Sequence, residues 1–351
     1  MIEVLTMGRV GVDVYPLQVG VSLRRVETFG KYLGGSPTNV AVAAARLGRA
    51  SAVITRVGDD PFGLFILDAL RGYGVDDRYV SAVAHLPTPV TFCEIRPPED
   101  FPLFFYRSPT APDLQIRAEE LDLAAVAGAG VFWATVTGLS QEPSRAAHFA
   151  AWRARGRAPL TVLDLDYRPM FWAGEQQAAE QVRAALGQVT VAVGNVQEAA
   201  VATGRAEPHA AGEALLAAGV ELAVIKQGSG GVLGMTARET VEVAPVPVRV
   251  VNGLGAGDAF GGALCHGLLA GLPLERTLRL ANAAGAIVAG RLACAPAMPV
   301  LAEIEAVLDG RPVDELSPGG SPADGSAPGE PPRDVLSPAG RAAEPDTGGA
   351  R

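Results

Sequence analysis

Short apolar segments alternate with alanine-rich segments along most of the chain, and this alternation constrains the fold more than any other feature. Apolar runs that predict buried strands occupy residues 3–12, 52–57, 130–133, 160–165, 189–194 and 222–226. Helical patterns between them occupy residues 40–48, 62–73, 177–186 and 210–218. Strands that alternate with helices indicate a parallel sheet with helices packed against it. We therefore predict an α/β fold that binds its ligands at the carboxyl edge of the sheet.

Two segments, residues 14–33 and 88–108, interrupt this alternation. Within the second, residues 90–95 and 103–107 flank a proline-rich turn and predict a β-hairpin inserted in the α/β core. Such a hairpin is suited to cover a site as a lid. Residues 311–351 are rich in Pro, Gly, Ser, Ala and acidic side chains, which predicts a disordered tail. We therefore assign the fold to residues 1–310.

The composition argues against several classes of protein. A net charge of -9 is unfavourable for binding nucleic acid as the main partner. No apolar run reaches the roughly 18 residues of a membrane helix, and the N-terminus lacks the features of a signal peptide, so we expect a cytoplasmic enzyme. The three cysteines and four histidines are scattered, which fits neither a disulfide framework nor a zinc site.

The strongest local signal is the stretch of residues 252–263, which reads NGLGAGDAFGGA and precedes a helix of small residues. Small residues let the backbone approach a ligand closely, and the free N–H groups at a helix N-terminus bind anions. The stretch therefore predicts a phosphate cradle. Asp258 lies in the first turn, where it is either a favourable charge for the helix dipole or a general base. A carboxylate beside a bound phosphate favours the base, which would activate an acceptor hydroxyl.

Charged side chains follow two of the predicted strands. Asp13 ends the first apolar run, where it is placed to line a site at the edge of the sheet. Arg168 follows the run at residues 160–165, together with Asp164 and Asp166. Its guanidinium either holds a carboxylate or phosphate bidentately or pairs with one of these aspartates.

Asn195 and Glu198 follow the next predicted strand. Asn195 is a good helix cap, and Glu198 is placed to reach a hydrated Mg²⁺ ion bound to phosphates. The first strand has no GxGxxG motif, which weakens a dinucleotide-binding interpretation. The only lysines are Lys31 and Lys226, and neither lies in a Walker-type phosphate loop.

Taken together, these motifs resemble those of the ribokinase/PfkB family of carbohydrate kinases over nearly all of residues 1–310. Residues 34–39, GGSPTN, resemble the N-terminal signature of that family, residues 195–198 its NxxE motif and residues 255–258 its C-terminal signature. The resemblance implies a ribokinase-like three-layer α/β/α sandwich with a small β-sheet lid. It also implies ATP, Mg²⁺ and transfer of the γ-phosphate to a sugar hydroxyl.

The resemblance further implies roles for individual residues. Asp258 would be the base, and the backbone of Gly255, Ala256 and Gly257 would form the anion hole. The residues implied to bind the nucleotide and its metal are Asn195, Glu198, Lys226, Gly228, Gly255, Gly257 and Asn282. Those implied to hold the sugar are Asp13, Gly34, Gly35 and Asn39. In-line phosphoryl transfer needs little beyond positioning and charge stabilisation, which this set supplies.

Arg107 and Arg168 favour a sugar acid as the substrate, because two guanidinium groups suit a carboxylate better than a neutral sugar. Residues 8–17, 88–94 and 111–114 are similar to those of the kinases of myo-inositol breakdown. The open alternatives are a kinase of 2-dehydro-3-deoxygluconate, a fructokinase or ribokinase, and a non-enzymatic sugar or nucleotide sensor on the same fold. Asp258 favours an enzyme over a sensor, since binding alone needs no base.

Two further expectations concern cations and self-association. The family commonly has Asp-Thr before the glycines, where this chain has Asn252, Gly253 and Leu254. The acid contributes to a monovalent-cation site in some members, so the resemblance leaves activation by K⁺ open. A protruding lid has unpaired strand edges, which makes a homodimer formed through the lid an expectation.

Overall fold

The structure is a computed structural model that describes residues 1–158 and 160–316. The strands in these ranges are β1 (Val4–Met7), β2 (Gly11–Pro16), β3 (Phe29–Gly34), β4 (Ser51–Gly58), β5 (Val80–Val83), β6 (Val90–Cys93), β7 (Leu103–Tyr106), β8 (Val131–Thr135), β9 (Thr161–Asp164), β10 (Val191–Asn195), β11 (Leu222–Lys226), β12 (Val232–Thr236) and β13 (Thr240–Val243). The α-helices are α1 (Ser36–Arg46), α2 (Pro61–Gly72), α3 (Leu123–Gly128), α4 (Ser144–Arg155), α5 (Glu175–Leu186), α6 (Val196–Thr203), α7 (Pro208–Ala217), α8 (Ala256–Leu269), α9 (Leu274–Ala289) and α10 (Leu301–Leu308).

The large sheet has nine strands in the order β13-β12-β11-β10-β9-β8-β1-β4-β5. The seven strands from β11 to β5 run parallel to their neighbours, and β12 and β13 add an antiparallel edge. This sheet confirms the predicted α/β class. The strands β5, β12 and β13 lie outside those predicted from the sequence. The edge strands β5 and β13 are only partly buried and lack a continuous apolar run, whereas β12 lies between β11 and β13 and is buried at four of its five residues.

Two apolar layers cover the two faces of the large sheet. Val4 and Val131 pack with α1, α8 and α9 on one face, whereas their neighbours Leu5 and Phe132 pack with α4 and α5 on the other. Burial on both faces explains why the parallel strands read as continuous apolar runs. Small residues bring α8 close to α1, since a Cβ on Gly262 would lie 2.3 Å from the Cβ of Ala43. The result is the three-layer sandwich that the resemblance implied.

A separate four-stranded sheet, which we call the lid, has the order β3-β2-β6-β7. Its strands β6 and β7 are antiparallel, as in the predicted hairpin, and β2 runs parallel to β6. The prediction of one strand over residues 3–12 is wrong. The strand β1 ends at Met7, and Gly8, with φ of 137°, turns the chain toward β2. Asp13 therefore belongs to the lid rather than to the end of a core strand.

The described fold continues past residue 310, where the sequence analysis placed the start of the tail. Residues Val313–Glu315 form a short 3-10 turn, and the side chain of Val313 is buried. The rest of the predicted tail, residues 317–351, lies outside the described residues. In the part of the chain that the structure describes, no helix has the length and apolar character needed to cross a membrane. The homodimer through the lid stays a prediction.

Candidate active site

A cavity of about 910 Å³ is lined by the carboxyl ends of the large sheet, by the lid and by the start of α8. The strands β9, β10 and β11 deliver Asp164, Asn195 and Lys226 to it at their last residues. The lid contributes alternate residues of its strands, as expected for side chains on one face of a sheet. These lid residues are Asp13, Tyr15, Thr91, Leu103 and Phe105. All of the predicted site residues except Gly34 and Arg107 line this cavity.

Asp258 lies in the first turn of α8 and faces the cavity. The side-chain amide of Asn39 donates a hydrogen bond of 2.8 Å to Asp258 Oδ2. Burial raises the pKa of Asp258 above its ordinary value, and the hydrogen bonds from Asn39 and Ser36 oppose this rise. The Asn39 Oδ1 atom is buried and has no hydrogen-bond partner among the described residues. The pair thus presents a positioned carboxylate at the cavity.

The backbone before Asp258 forms a turn that only glycine accommodates. Gly255 has φ of 82°, and a Cβ on it would lie 2.6 Å from Cys294 Sγ. The N–H groups of Ala256 and Gly257 belong to the first turn of α8, where a helix has no partner of its own for them. A Cβ on Gly257 would lie 3.2 Å from the amine of Lys226. These features suit a negatively charged group held against the start of α8.

Lys226 supplies a positive charge beside this turn. Burial opposes protonation of the amine, but the charges of Asp164, Glu198 and Asp258 outweigh that effect and raise the pKa of Lys226. Burial in turn raises the pKa of Asp164 to about 7, although the charge of Lys226 opposes the rise. The lysine therefore stays charged among partly neutralised carboxyl groups, ready to bind an anion.

Asn195 and Glu198 form a reciprocal cap at the start of α6. The Asn195 side chain accepts a hydrogen bond from the N–H of Glu198, and Glu198 Oε2 accepts one from the N–H of Asn195, each at 2.8 Å. The capping role weighed for Asn195 is therefore present. Among the described residues, Glu198 Oε1 contacts Arg168 at 3.5 Å, and Glu198 lines the cavity. Among the described residues, no group of three or more His, Cys, Asp or Glu side chains forms a ready metal site.

The glycines of the GGSPTN segment make room for residues of the lid junction. A Cβ on Gly34 would lie 2.2 Å from Asp13 Cγ, and Gly35, with φ of 105°, would clash with the carbonyl of Arg9. Asp13 accepts a hydrogen bond of 2.9 Å from the Tyr15 hydroxyl. Gly34 therefore shapes the site through Asp13 rather than by lining the cavity itself.

The opposite end of the cavity is apolar and suits the base of a nucleotide. Gly228 and Asn282 line this end together with Val246, Val248 and Ala286. The Asn282 amide donates a hydrogen bond of 2.8 Å to the carbonyl of Ala244 and so holds the segment that precedes α8. Apolar walls with a few fixed polar groups are typical of ligand pockets.

The expectation that Arg107 lines the substrate site needs correction. Arg107 forms an ion pair of 2.8 Å with Asp113, and both side chains are buried. The guanidinium also lies over the ring of Phe171, with its carbon 4.8 Å from the ring centroid. Asp113 follows Arg107 by six residues in a short 3-10 turn, and it draws the guanidinium away from the cavity.

Arg9 lines the cavity in its place, and the sequence analysis missed it. Its Nη2 lies 3.6 Å from Asp166 Oδ2, and Arg168 Nη2 lies 2.7 Å from Asp166 Oδ1. Arg168 thus forms an ion pair with an aspartate, which is one of its two roles predicted from the sequence. It also lines the cavity, where it can contact a ligand. Arg9 could have been found from its position two residues after β1, at the carboxyl edge where Asp164 also lies.

Comparisons with known proteins agree with this architecture. A family model described as pfkB family carbohydrate kinase matches residues 1–301. The 5-dehydro-2-deoxygluconokinase of Shouchella clausii is 31% identical over 316 residues, which cover 88% of this chain and 95% of that protein. The protein of the same name from Clostridium tetani is 30% identical and covers 87% of this chain and 92% of its own length.

Two solved structures show the same fold. The fructokinase with bound ATP from Xylella fastidiosa is 26% identical, with a TM-score of 0.77 over 88% of this chain and 98% of that chain. A putative ribokinase II in complex with ATP and Mg²⁺ from E. coli is 24% identical, with a TM-score of 0.79 over 88% of this chain and 99% of that chain.

Proposed function

The chain belongs to the pfkB family of carbohydrate kinases, and from this premise we propose that it transfers the γ-phosphate of ATP to the 6-hydroxyl of 5-dehydro-2-deoxy-D-gluconate. The observation that carries the proposal is the hydrogen bond between Asn39 and Asp258, which joins the two signature segments at one point of the cavity. The named relatives act on this sugar acid by their names, and they match this chain along most of its length.

In the proposed mechanism, Asp258 accepts the proton of the sugar hydroxyl as the hydroxyl oxygen attacks. The N–H groups of Ala256 and Gly257 and the amine of Lys226 stabilise the negative charge on the transferred group. Asn39 keeps the Asp258 carboxylate in place through the bond to Oδ2. As the hydroxyl oxygen bonds to the γ-phosphorus of ATP, the bond from this phosphorus to the bridging oxygen breaks and ADP leaves. A bound Mg²⁺ would neutralise charge on the phosphates.

The residues present fit both ATP and a hydrated Mg²⁺. A base fits between the apolar walls near Val246 and Ala286, and the phosphates fit against the start of α8, where Gly255 and Gly257 leave room. Glu198 would hold Mg²⁺ through water, since this carboxylate lines the cavity and the ion usually keeps several water ligands. Asn195 would contribute mainly by holding Glu198.

A sugar acid is favoured over a neutral sugar by the positive groups at the sugar end of the cavity. Arg9 and Arg168 both line the cavity, and the guanidinium of Arg9 lies over the ring of the lid residue Phe105. A planar guanidinium binds a carboxylate with two parallel hydrogen bonds, whereas it has no such complement in a neutral sugar. The names of the relatives point the same way.

The test is ADP release by the purified protein with Mg²⁺-ATP and a substrate panel. The panel contains 5-dehydro-2-deoxy-D-gluconate, 2-dehydro-3-deoxygluconate, fructose and ribose. We expect the highest kcat/KM with the first acid. Release of ADP with no substrate of the panel would refute the kinase proposal, and a preference for fructose or ribose would replace the acid by a neutral sugar.

The role of Asp258 is tested by Asp258→Asn, which keeps the shape of the side chain and removes the base. We expect kcat to fall by roughly 10² to 10⁴, the usual contribution of a general base, with ATP affinity little changed. Asp68→Asn is the matched control, because the Asp68 side chain is 78% exposed on α2. Near-normal turnover by Asp258→Asn would remove Asp258 from the proposed role.

A further inference from the structure

Arg9 lines the cavity with a weakly paired guanidinium. Its side chain is only 11% exposed and contacts Asp166 at 3.6 Å, beyond hydrogen-bond length. The Arg9 Nε atom is buried and has no hydrogen-bond partner among the described residues. A buried guanidinium without a hydrogen-bonded carboxylate is costly, and an anion bound in the cavity would reduce this cost.

The backbone of Arg9 is fixed at the junction between the core and the lid. Its carbonyl accepts a hydrogen bond of 3.1 Å from Thr38 Oγ1, and it packs so closely on Gly35 that a Cβ there would lie 2.4 Å away. The guanidinium carbon lies 5.4 Å from the ring centroid of Phe105, a lid residue that also lines the cavity. Arg9 is thus held from two sides, with its guanidinium beside the cavity.

Arg168 contacts the other oxygen of the Asp166 carboxylate and also lies 3.5 Å from Glu198 Oε1. Its Nη2 lies 2.7 Å from Asp166 Oδ1, while its Nε is buried and unpartnered among the described residues. One carboxylate thus has two guanidinium neighbours, and each neighbour keeps an N–H unpaired. A carboxylate bound in the cavity would pair with the guanidinium groups of both residues.

We propose that Arg9, together with Arg168, binds the carboxylate of the substrate and so determines the preference for an acid. This inference rests on the proposed function and specifies how its substrate class is recognised. Phe105 and Phe171 lie in edge contact, with ring centroids 4.9 Å apart, between Arg9 and Arg107. Arg107 therefore belongs to the packing behind Phe105. Arg9 takes the role predicted for Arg107 from the sequence, which is to bind the carboxylate of the substrate.

The test compares wild type with Arg9→Met, in which the apolar stem still packs on Phe105 but the charge is absent. The two substrates are 5-dehydro-2-deoxy-D-gluconate and its neutral amide at the carboxyl carbon. We expect Arg9→Met to raise KM for the acid about 10- to 100-fold, the effect of losing a charged hydrogen-bond pair, and to change KM for the amide little. The KM of Arg9→Lys for the acid should lie between those of wild type and Arg9→Met, because lysine keeps the charge but cannot donate two parallel hydrogen bonds.

Arg78→Met is the matched control, since the Arg78 side chain is 67% exposed. The urea midpoint and the Kd for ATP of each variant separate loss of folding from loss of substrate binding. An unchanged KM for the acid in a folded Arg9→Met protein would overturn the inference. An equal fall in kcat for acid and amide would also overturn it, because Arg9 would then act on the transferred phosphoryl group. If wild type releases no ADP with any sugar, the proposed function fails. If wild type is active but Arg9→Met leaves the ratio of KM for the acid to KM for the amide unchanged, only the role of Arg9 is removed.

Discussion

Replacing Asp13 with Asn is expected to stabilise the ligand-free protein at neutral pH, although Asp13 lines the candidate active site. The Asp13 side chain is buried in the lid, and burial raises its pKa to about 6. The hydrogen bond from Tyr15 and the charge of Arg9 oppose this rise without cancelling it. An asparagine keeps an oxygen that accepts the bond from Tyr15 and has no charge to bury.

The pKa of Asp13 sets both the size and the pH range of the effect. A carboxyl group whose pKa is higher in the folded state holds its proton more tightly there. Its stabilising contribution is complete below the ordinary pKa of 3.8 and is lost as the pH rises through about 6. At about 1.4 kcal/mol per pH unit, the rise from 3.8 to about 6 corresponds to about 3 kcal/mol. The Asp13→Asn protein does not ionise at this position and therefore does not lose this stability as the pH rises.

Urea denaturation of the ligand-free proteins between about pH 4 and about pH 8 measures this difference. The free energy of unfolding of Asp13→Asn relative to wild type should increase with pH up to about 6 and then stay constant. The exposed control Asp68→Asn should show no such dependence. A variant no more stable than wild type at pH 8, or a difference independent of pH, would refute the reasoning.

Two other predictions concern the pH and cation dependence of turnover. Because burial raises the pKa of Asp258, kcat should fall as the pH falls through a value above the ordinary carboxyl pKa of 3.8. A pH–rate profile in which kcat does not fall above pH 3.8 would contradict the role of Asp258 as the base. Turnover should be equal in KCl and in tetramethylammonium chloride, because the side chain of the buried Asn252 is already engaged and is not available to bind K⁺. Its amide nitrogen donates to the Leu292 carbonyl at 2.7 Å, and its amide oxygen accepts from the Leu254 N–H at 3.0 Å. A much higher turnover in KCl than in tetramethylammonium chloride would contradict this prediction and would indicate that K⁺ binds beside Asn252.

The parts of the site that lie on short continuous motifs could be predicted from the sequence. Gly255 and Asp258 fall within four residues at a helix start, so the spacing alone brings the anion cradle and the carboxylate together. Asn195 and Glu198 are three residues apart, which is the spacing of a capping box. Local geometry determines these arrangements, and local geometry is what a sequence pattern records.

The boundary between core and lid could not be predicted in this way. Residues 4–7 and 11–16 are both largely apolar and buried, the first set in the large sheet and the second in the lid. Periodicity does not separate two such strands. The conformation of Gly8 separates them, since its positive φ redirects the chain. Asp13 was therefore expected at the cavity for the wrong structural reason.

The choice between Arg9 and Arg107 shows a second limit. Both residues lie near the lid, and only the tertiary position of Asp113 decides that Arg107 is withdrawn into a buried pair. Arg9 is kept at the cavity by its backbone contacts with Gly35 and Thr38, which come from a different part of the chain. No spacing rule encodes either contact, because each depends on how distant segments pack.

The buried charges of the site connect its stability to its chemistry. Burial raises the pKa of both Asp13 and Asp258, so the ligand-free protein bears the cost of these carboxylates near neutral pH. The same burial brings the pKa of a general base closer to the pH at which it works, which strengthens its pull on the substrate proton. A substitution that relieves the cost at Asp13 is therefore expected to weaken sugar binding. Stability and activity oppose each other at this cavity because both depend on the same desolvated charges.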